Sequence, residues 1–156
     1  MEYICPLIIV KDIRCSRIFY EKVLGQKVKY DFGQSIIFHG DFSIHLKSHY
    51  RTLIGRRISC AGNNFELYFE DDDLEGIVCR LKEKDVTFVH GIKEQPWRQR
   101  AVRFYDPDKN IIEIAESLPY LSFRLKKEGM AIEKISAIIN MSVEFVVDSV
   151  NKYLKK

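Results

Sequence analysis

The chain has 156 residues and a mass of 18.4 kDa, which suits one compact domain with an appendage and is too short for two large domains. With 46% hydrophobic and 30% charged residues and a net charge of +3, the composition is that of an ordinary globular protein, and the charge is too mild to mark a nucleic-acid binder. No apolar run approaches the ~20 residues of a membrane span. Lys11, Asp12 and Arg14 interrupt the apolar start too early for a secretory signal, so a cytoplasmic protein is expected. Cys5, Cys15, Cys60 and Cys79 form no CxxC pair and no zinc-finger spacing, and are expected as free thiols.

In chain order, Tyr3 to Val10 reads as a buried strand. Cys15, Ile18, Phe19 and Val23 follow at helical spacing, with Gly25 as the stop. Period-2 runs come next, at Val28, Tyr30 and Phe32, around Ile36 to His39, and at Phe42, Ile44 and Leu46; Gly33 and Gly40-Asp41 supply the turns. The pattern then recurs. Phe65, Leu67 and Phe69 alternate as a strand, and Leu74, Ile77, Val78 and Leu81 form a helical stripe. Val86 to Val89, Ala101 to Tyr105 and Ile111 to Ala115 supply three more strands, with a loop around Gly91 to Trp97 and a turn at Asp106-Pro107-Asp108. Asp12 and Asp73 are 61 positions apart, as are Cys5 and Glu66, whereas His45 and Glu113 are 68 apart. The halves thus keep register through strand and helix, which predicts an internal βαβββ duplication.

The segments VKDIRCSRIFYEKVLG (Val10 to Gly25) and EQPWRQRAVRFYDPDKNIIEIAES (Glu94 to Ser117) resemble the vicinal oxygen chelate superfamily of glyoxalases, bleomycin- and fosfomycin-resistance proteins and extradiol dioxygenases. The resemblance implies an α+β fold of two tandem βαβββ modules, about residues 1–50 and 62–118, whose curled sheets form a ligand cup. It also implies a homodimer. Residues 119–156 exceed what that fold needs.

Carried over by position, the superfamily's metal ligands fall on Cys5, His45, Glu66 and Glu113. Strand alternation agrees, because Ile44 and Leu46 flank His45, and Ile112 and Ile114 flank Glu113. Relatives usually have His at the position of Cys5 and His or Gln at that of Glu66. The mixture of soft thiolate and hard carboxylate points to no single metal among Zn²⁺, Mn²⁺, Ni²⁺ and Fe²⁺. Without a metal, two carboxylates in one cup would raise one pKa and make Glu113 or Glu66 a general base; the alternative is that His45 or an arginine neutralises them. Tyr68, Trp97 and Arg103 are the candidate substrate contacts, an aromatic wall with a guanidinium suited to a small, partly apolar anion. Arg98, Arg100, and the inter-module loop residues Arg51, Arg56 and Arg57 are further anion candidates. Where relatives usually place Gly after QPW and after the aspartate turn, this chain has Arg98 and Lys109.

The tail carries the charge excess, with 7 basic and 4 acidic residues after Leu118 against 18 and 18 before it. It reads as helices from about Leu121 to Glu128, from Ile132 to Ile139, and from Ser142 as N-cap, with Val143, Val146, Val147, Val150 and Leu154 on one stripe. EGMAIEKISAIINMSVEFVVDSV resembles a helix-turn-helix. DNA contact is disfavoured, because Glu144 and Asp148 on the last helix would face phosphate. Three functions follow from these readings: a metal-dependent lyase or isomerase of the glyoxalase type, a metal-free ligand-binding protein of the bleomycin-resistance kind, and a sensor that reports through the tail.

Overall fold

The computed structural model describes residues 1–59 and 61–155; Cys60 lies outside them. Two four-stranded sheets carry the fold, each built as βαβββ. The first contains β1 (Leu7–Val10), β2 (Val28–Asp31), β3 (Ser35–Phe38) and β4 (Ser43–Leu46) in the order β1-β4-β3-β2. β1 runs parallel to β4, and the other pairs are antiparallel. The second sheet contains β5 (Glu66–Glu70), β6 (Phe88–Glu94), β7 (Arg100–Tyr105) and β8 (Ile111–Ala115) in the equivalent order β5-β8-β7-β6. The duplication predicted from the sequence is therefore present, and it extends to helix capping. Asp12 accepts from the amides of Arg14 and Cys15 ahead of α1 (Ile13–Ile18), and Asp73 accepts from that of Gly76 ahead of α3 (Leu74–Glu83).

The chain divides into two compact units: Met1–Glu66 with Glu83–Thr87 and Tyr105–Ile111, and Leu67–Lys82 with Phe88–Phe104 and Ile112–Lys156. In the first, Ile8, Val10, Ile36, Phe38, Phe42 and Ile44 are buried under α1. Tyr20 packs 5.6 Å from Phe38 and 5.2 Å from Phe42, and its hydroxyl donates to Asp106 at 2.9 Å. Asp108, equally buried, accepts from the Lys11 amide and the Ser16 hydroxyl. These aspartates form the expected turn and also clamp α1.

Several elements differ from the sequence expectation. The first strand starts at Leu7, because Pro6 lacks an amide and Tyr3 and Ile4 are left exposed. The buried face of the first helix is Ser16, Phe19 and Tyr20, whereas Cys15 and Ile18 face solvent. A π-helical turn at Phe19–Val23 continues α1 and shifts its periodicity. The supposed loop with Arg51 begins as a helix, α2 (Lys47–Ile54), closed by Gly55 in the left-handed region at φ 62°. The Gly91–Trp97 loop shrinks to a tight turn at Gln95–Arg98, because β6 continues to Glu94 in register with Arg100.

In the second unit, Val102, Phe104, Ile112 and Ile114 are buried beneath the sheet. The tail belongs to this unit. Helix α4 (Leu118–Lys127) starts three residues earlier than expected, with Ser117 as N-cap; α5 (Ile132–Ile139) and α6 (Val143–Leu154) follow, α6 being capped by Ser142. Their common core is Leu121, Leu125, Ile135, Ile139, Val146 and Val150. Of the expected stripe, Val143, Val147 and Leu154 remain exposed. Asn140 makes the turn between α5 and α6 in the left-handed conformation.

Polar ties complete the attachment of the tail. Glu116 is fully buried and accepts from Arg100 Nε at 2.6 Å and Arg124 Nε at 3.0 Å. Arg124 also donates to the Arg98 carbonyl at 2.6 Å. At the far end of the tail, the Tyr153 hydroxyl donates to Asp72, which also accepts from Ser117.

Candidate functional site on the second sheet

Each strand of the second sheet contributes one polar side chain to a row: Tyr68 from β5, Glu113 from β8, Arg103 from β7 and His90 from β6. Arg103 forms an ion pair with Glu113, whose side chain is 5% exposed against 23% for the arginine. Arg103 also faces His90, its register partner, with Nη1 3.4 Å from Nε2. The His90 Nδ1 lies 2.7 Å from the Gly91 carbonyl, which can only accept. His90 is therefore the Nδ1–H tautomer, and its Nε2 is an acceptor toward the guanidinium. The pairing of β6 with β7 is irregular on both sides of His90.

Tyr68 ends the row, on the edge strand β5. Its phenol is pushed up to about 12, chiefly by burial, with the charges of Glu70 and Glu113 adding to the effect. It donates to Glu70 at 3.0 Å and accepts from Gln99 Nε2 at 3.2 Å. Gln99, itself buried, accepts from the Trp97 indole at 2.8 Å. Tyr68 and Trp97, each about half exposed, are thus joined through Gln99, and the Glu113 charge reaches Tyr68.

The residues carried over as metal ligands are otherwise engaged. Glu113 already faces a cation, the Arg103 guanidinium. In the first unit, His45 Nε2 lies 2.8 Å from Nδ1 of His49, with the rings stacked at 5.0 Å. The Cys5 thiol donates to the Ser43 hydroxyl at 3.6 Å. Glu66 is exposed at the start of β5. Among the described residues no three His, Cys, Asp or Glu side chains come together to hold an ion.

Of the predicted substrate contacts, the second unit brings Tyr68, Trp97 and Arg103 to the site. Arg98 and Arg100 are instead drawn to Glu94, Glu128, Glu75 and Glu116. His90, Gln99 and Glu116 join these networks and His49 pairs with His45 without a sequence motif to mark any of them. The one local signal in the sequence is that Gln99 lies two positions after the only Trp.

The glyoxalase-like domain model matches residues 3–119. Among solved structures, a protein of unknown function from Agrobacterium tumefaciens str. C58 is 36% identical, with a TM-score of 0.67 over 75% of this chain and 94% of that one. A glyoxalase/bleomycin resistance protein/dioxygenase superfamily member from Sphaerobacter thermophilus is 25% identical, with a TM-score of 0.58 over 75% and 98%. Lactoylglutathione lyase from Agrobacterium tumefaciens shares the fold at 20% identity, with a TM-score of 0.58 over 75% and 95%. None of the curated proteins matches. No helix among the described residues is long and apolar enough to cross a membrane. Two βαβββ modules, the domain match and these neighbours together place the chain in the glyoxalase-like domain family of the vicinal oxygen chelate superfamily, with a C-terminal helical extension.

Proposed function

We propose that this protein binds a small, partly aromatic anion on its second sheet without a metal, as a binding or sequestering member of its superfamily rather than a metal-dependent lyase. The observation that carries this reading is the Arg103–Glu113 ion pair on the sheet that also carries Tyr68, which Gln99 links to Trp97. Arg103 supplies a fixed positive charge beside Glu113, one of the positions that the resemblance assigns to a metal ligand. A ligand oxyanion competes with Glu113 for that guanidinium, while Tyr68 and Trp97 cover the ligand's apolar part. Glu113, committed to Arg103, serves to hold the guanidinium in place. The tail is a structural part of the second unit in this reading, and Glu144 and Asp148 on α6 oppose contact with nucleic acid.

The test uses Trp97, the only Trp in the chain, as a fluorescent reporter. EDTA-treated protein is titrated with 4-hydroxybenzoate. Saturable binding is expected, unchanged by added Zn²⁺, Mn²⁺ or Ni²⁺. Arg103→Met should weaken it by at least about tenfold, equivalent to about 1.4 kcal/mol. Binding that appears only with metal, or that is indifferent to Arg103→Met, would refute the proposal.

A further inference from the structure

The hydrogen-bond directions around Gln99 are fixed by chemistry alone. The backbone carbonyl of Glu116 can only accept, and it lies 2.6 Å from Gln99 Nε2. The Trp97 indole can only donate, and it lies 2.8 Å from Gln99 Oε1. The amide orientation is thereby settled from both ends. Its second Nε2 hydrogen points at the Tyr68 hydroxyl, 3.2 Å away, so the tyrosine oxygen accepts there. The tyrosine's single proton goes to Glu70, at 3.0 Å, because a carboxylate only accepts. Every proton at this corner is committed, and what Tyr68 has left to offer a ligand is a lone pair.

We infer that Gln99 is a specificity-determining residue, which locks Tyr68 as a hydrogen-bond acceptor and so selects ligands that bring a donor to that corner. Resting on the anion reading above, this narrows the ligand class to small aromatic acids that carry a hydroxyl or amino donor away from the acid group. A ligand with an acceptor at that position meets lone pair against lone pair, with the Glu70 carboxylate beside it. Desolvating such a site without a matching donor is costly, which is why sites built to hydrogen-bond a group reject analogues that lack it. Gln99 does not touch the ligand in this scheme. It acts through Tyr68, and the same amide fixes the Trp97 ring.

The experiment compares 4-hydroxybenzoate with 4-fluorobenzoate, similar in size but without the donor, in wild type, Gln99→Leu, Tyr68→Phe and Arg103→Met. Wild type should prefer the hydroxy acid by about tenfold or more. Tyr68→Phe, a conservative change at a half-exposed ring, and Gln99→Leu should each reduce that preference to less than threefold while binding of the fluoro acid persists. Arg103→Met should weaken both probes alike. Equal binding of the two acids by wild type, with Arg103 still required, would overturn the selectivity and leave the anion reading standing. Loss of dependence on Arg103 would overturn the anion reading itself. A ligand-free measurement stands beside these: Gln99→Leu should lower the fluorescence anisotropy of Trp97, and an unchanged value would overturn the positioning role whatever the probes do.

Discussion

Replacement of Glu116 by Gln tests how the tail is joined to the second module. The carboxylate is fully buried and faces two guanidinium groups, those of Arg100 and Arg124, whose side chains are 24% and 15% exposed. It also accepts from the Arg100 amide at 3.1 Å. Gln keeps the shape and one acceptor, but removes a negative charge shared by both arginines and turns an amide NH₂ toward one of them. Removing one partner of a buried ion pair costs ~3–5 kcal/mol. Arg100 retains Glu75 and Arg124 retains Glu128, which places the expected loss near the low end, about 3 kcal/mol. With a urea m-value of about 2 kcal/mol/M, the unfolding midpoint should fall by about 1.5 M. Glu128 is itself 43% exposed, so Glu128→Gln, which loosens its pairs with Arg98 and Arg124, should cost no more than ~1 kcal/mol and is the control. Unfolding followed by Trp97 fluorescence and by far-ultraviolet circular dichroism reports both the turn beside Arg98 and the tail helices. A midpoint within 0.3 M of wild type, a margin of about 0.6 kcal/mol at that slope, would show that Glu116 does not join the tail as described.

Two further outcomes follow from the first unit. Lys109 sits at φ 69°, a conformation that costs a residue with a Cβ ~1–2 kcal/mol, so Lys109→Gly should raise stability by about 1 kcal/mol in chemical denaturation; a loss would mean that the lysine side chain contributes more than the backbone strain costs. His45 is held below the ordinary imidazole range by burial and then by the neighbouring His49. The folded state therefore favours neutral His45, and its contribution is present above pH 6.5 and lost as pH falls through the lowered folded value. The Tm should drop more between pH 7.5 and pH 5.0 in wild type than in His45→Gln, and equal drops would contradict the pairing with His49 and Tyr50.

The duplication was legible in the sequence because its signals are local: Asp12 and Asp73 cap equivalent helices, and apolar alternation marks the strands packed beneath them. Helix α2 was not legible because none of its residues is buried, so no apolar stripe announces it. The end of β6 was missed for a similar reason, since Lys93 and Glu94 pair with β7 through backbone while their side chains stay exposed. At the site, Glu113 and Arg103 stood out as polar residues among strand apolars. Glu116 did not, because its pairing depends on Arg124 in the tail, encoded downstream of the strand it follows; Gln99 did not, because its partners Tyr68, Trp97 and the Glu116 carbonyl meet only once the sheet has formed. The two positions where Arg98 and Lys109 replace the superfamily's usual glycine both have positive φ, at 71° and 69°. The residue type changed there while the backbone requirement remained.

The clamp on α1 bears on whether half of this chain can exist alone. Asp106 and Asp108 come from the second repeat, yet their partners Tyr20, Ser16 and Lys11 lie in the first. A fragment ending in the linker would keep the aromatic cluster but leave a fully buried phenol and a buried serine hydroxyl without acceptors, each costing roughly 1–3 kcal/mol. During synthesis the first module likewise stays unfinished until residues 105–111 leave the ribosome. Gene splitting at the repeat boundary should therefore give two insoluble halves that recover structure only when co-expressed, each completing what the other lacks.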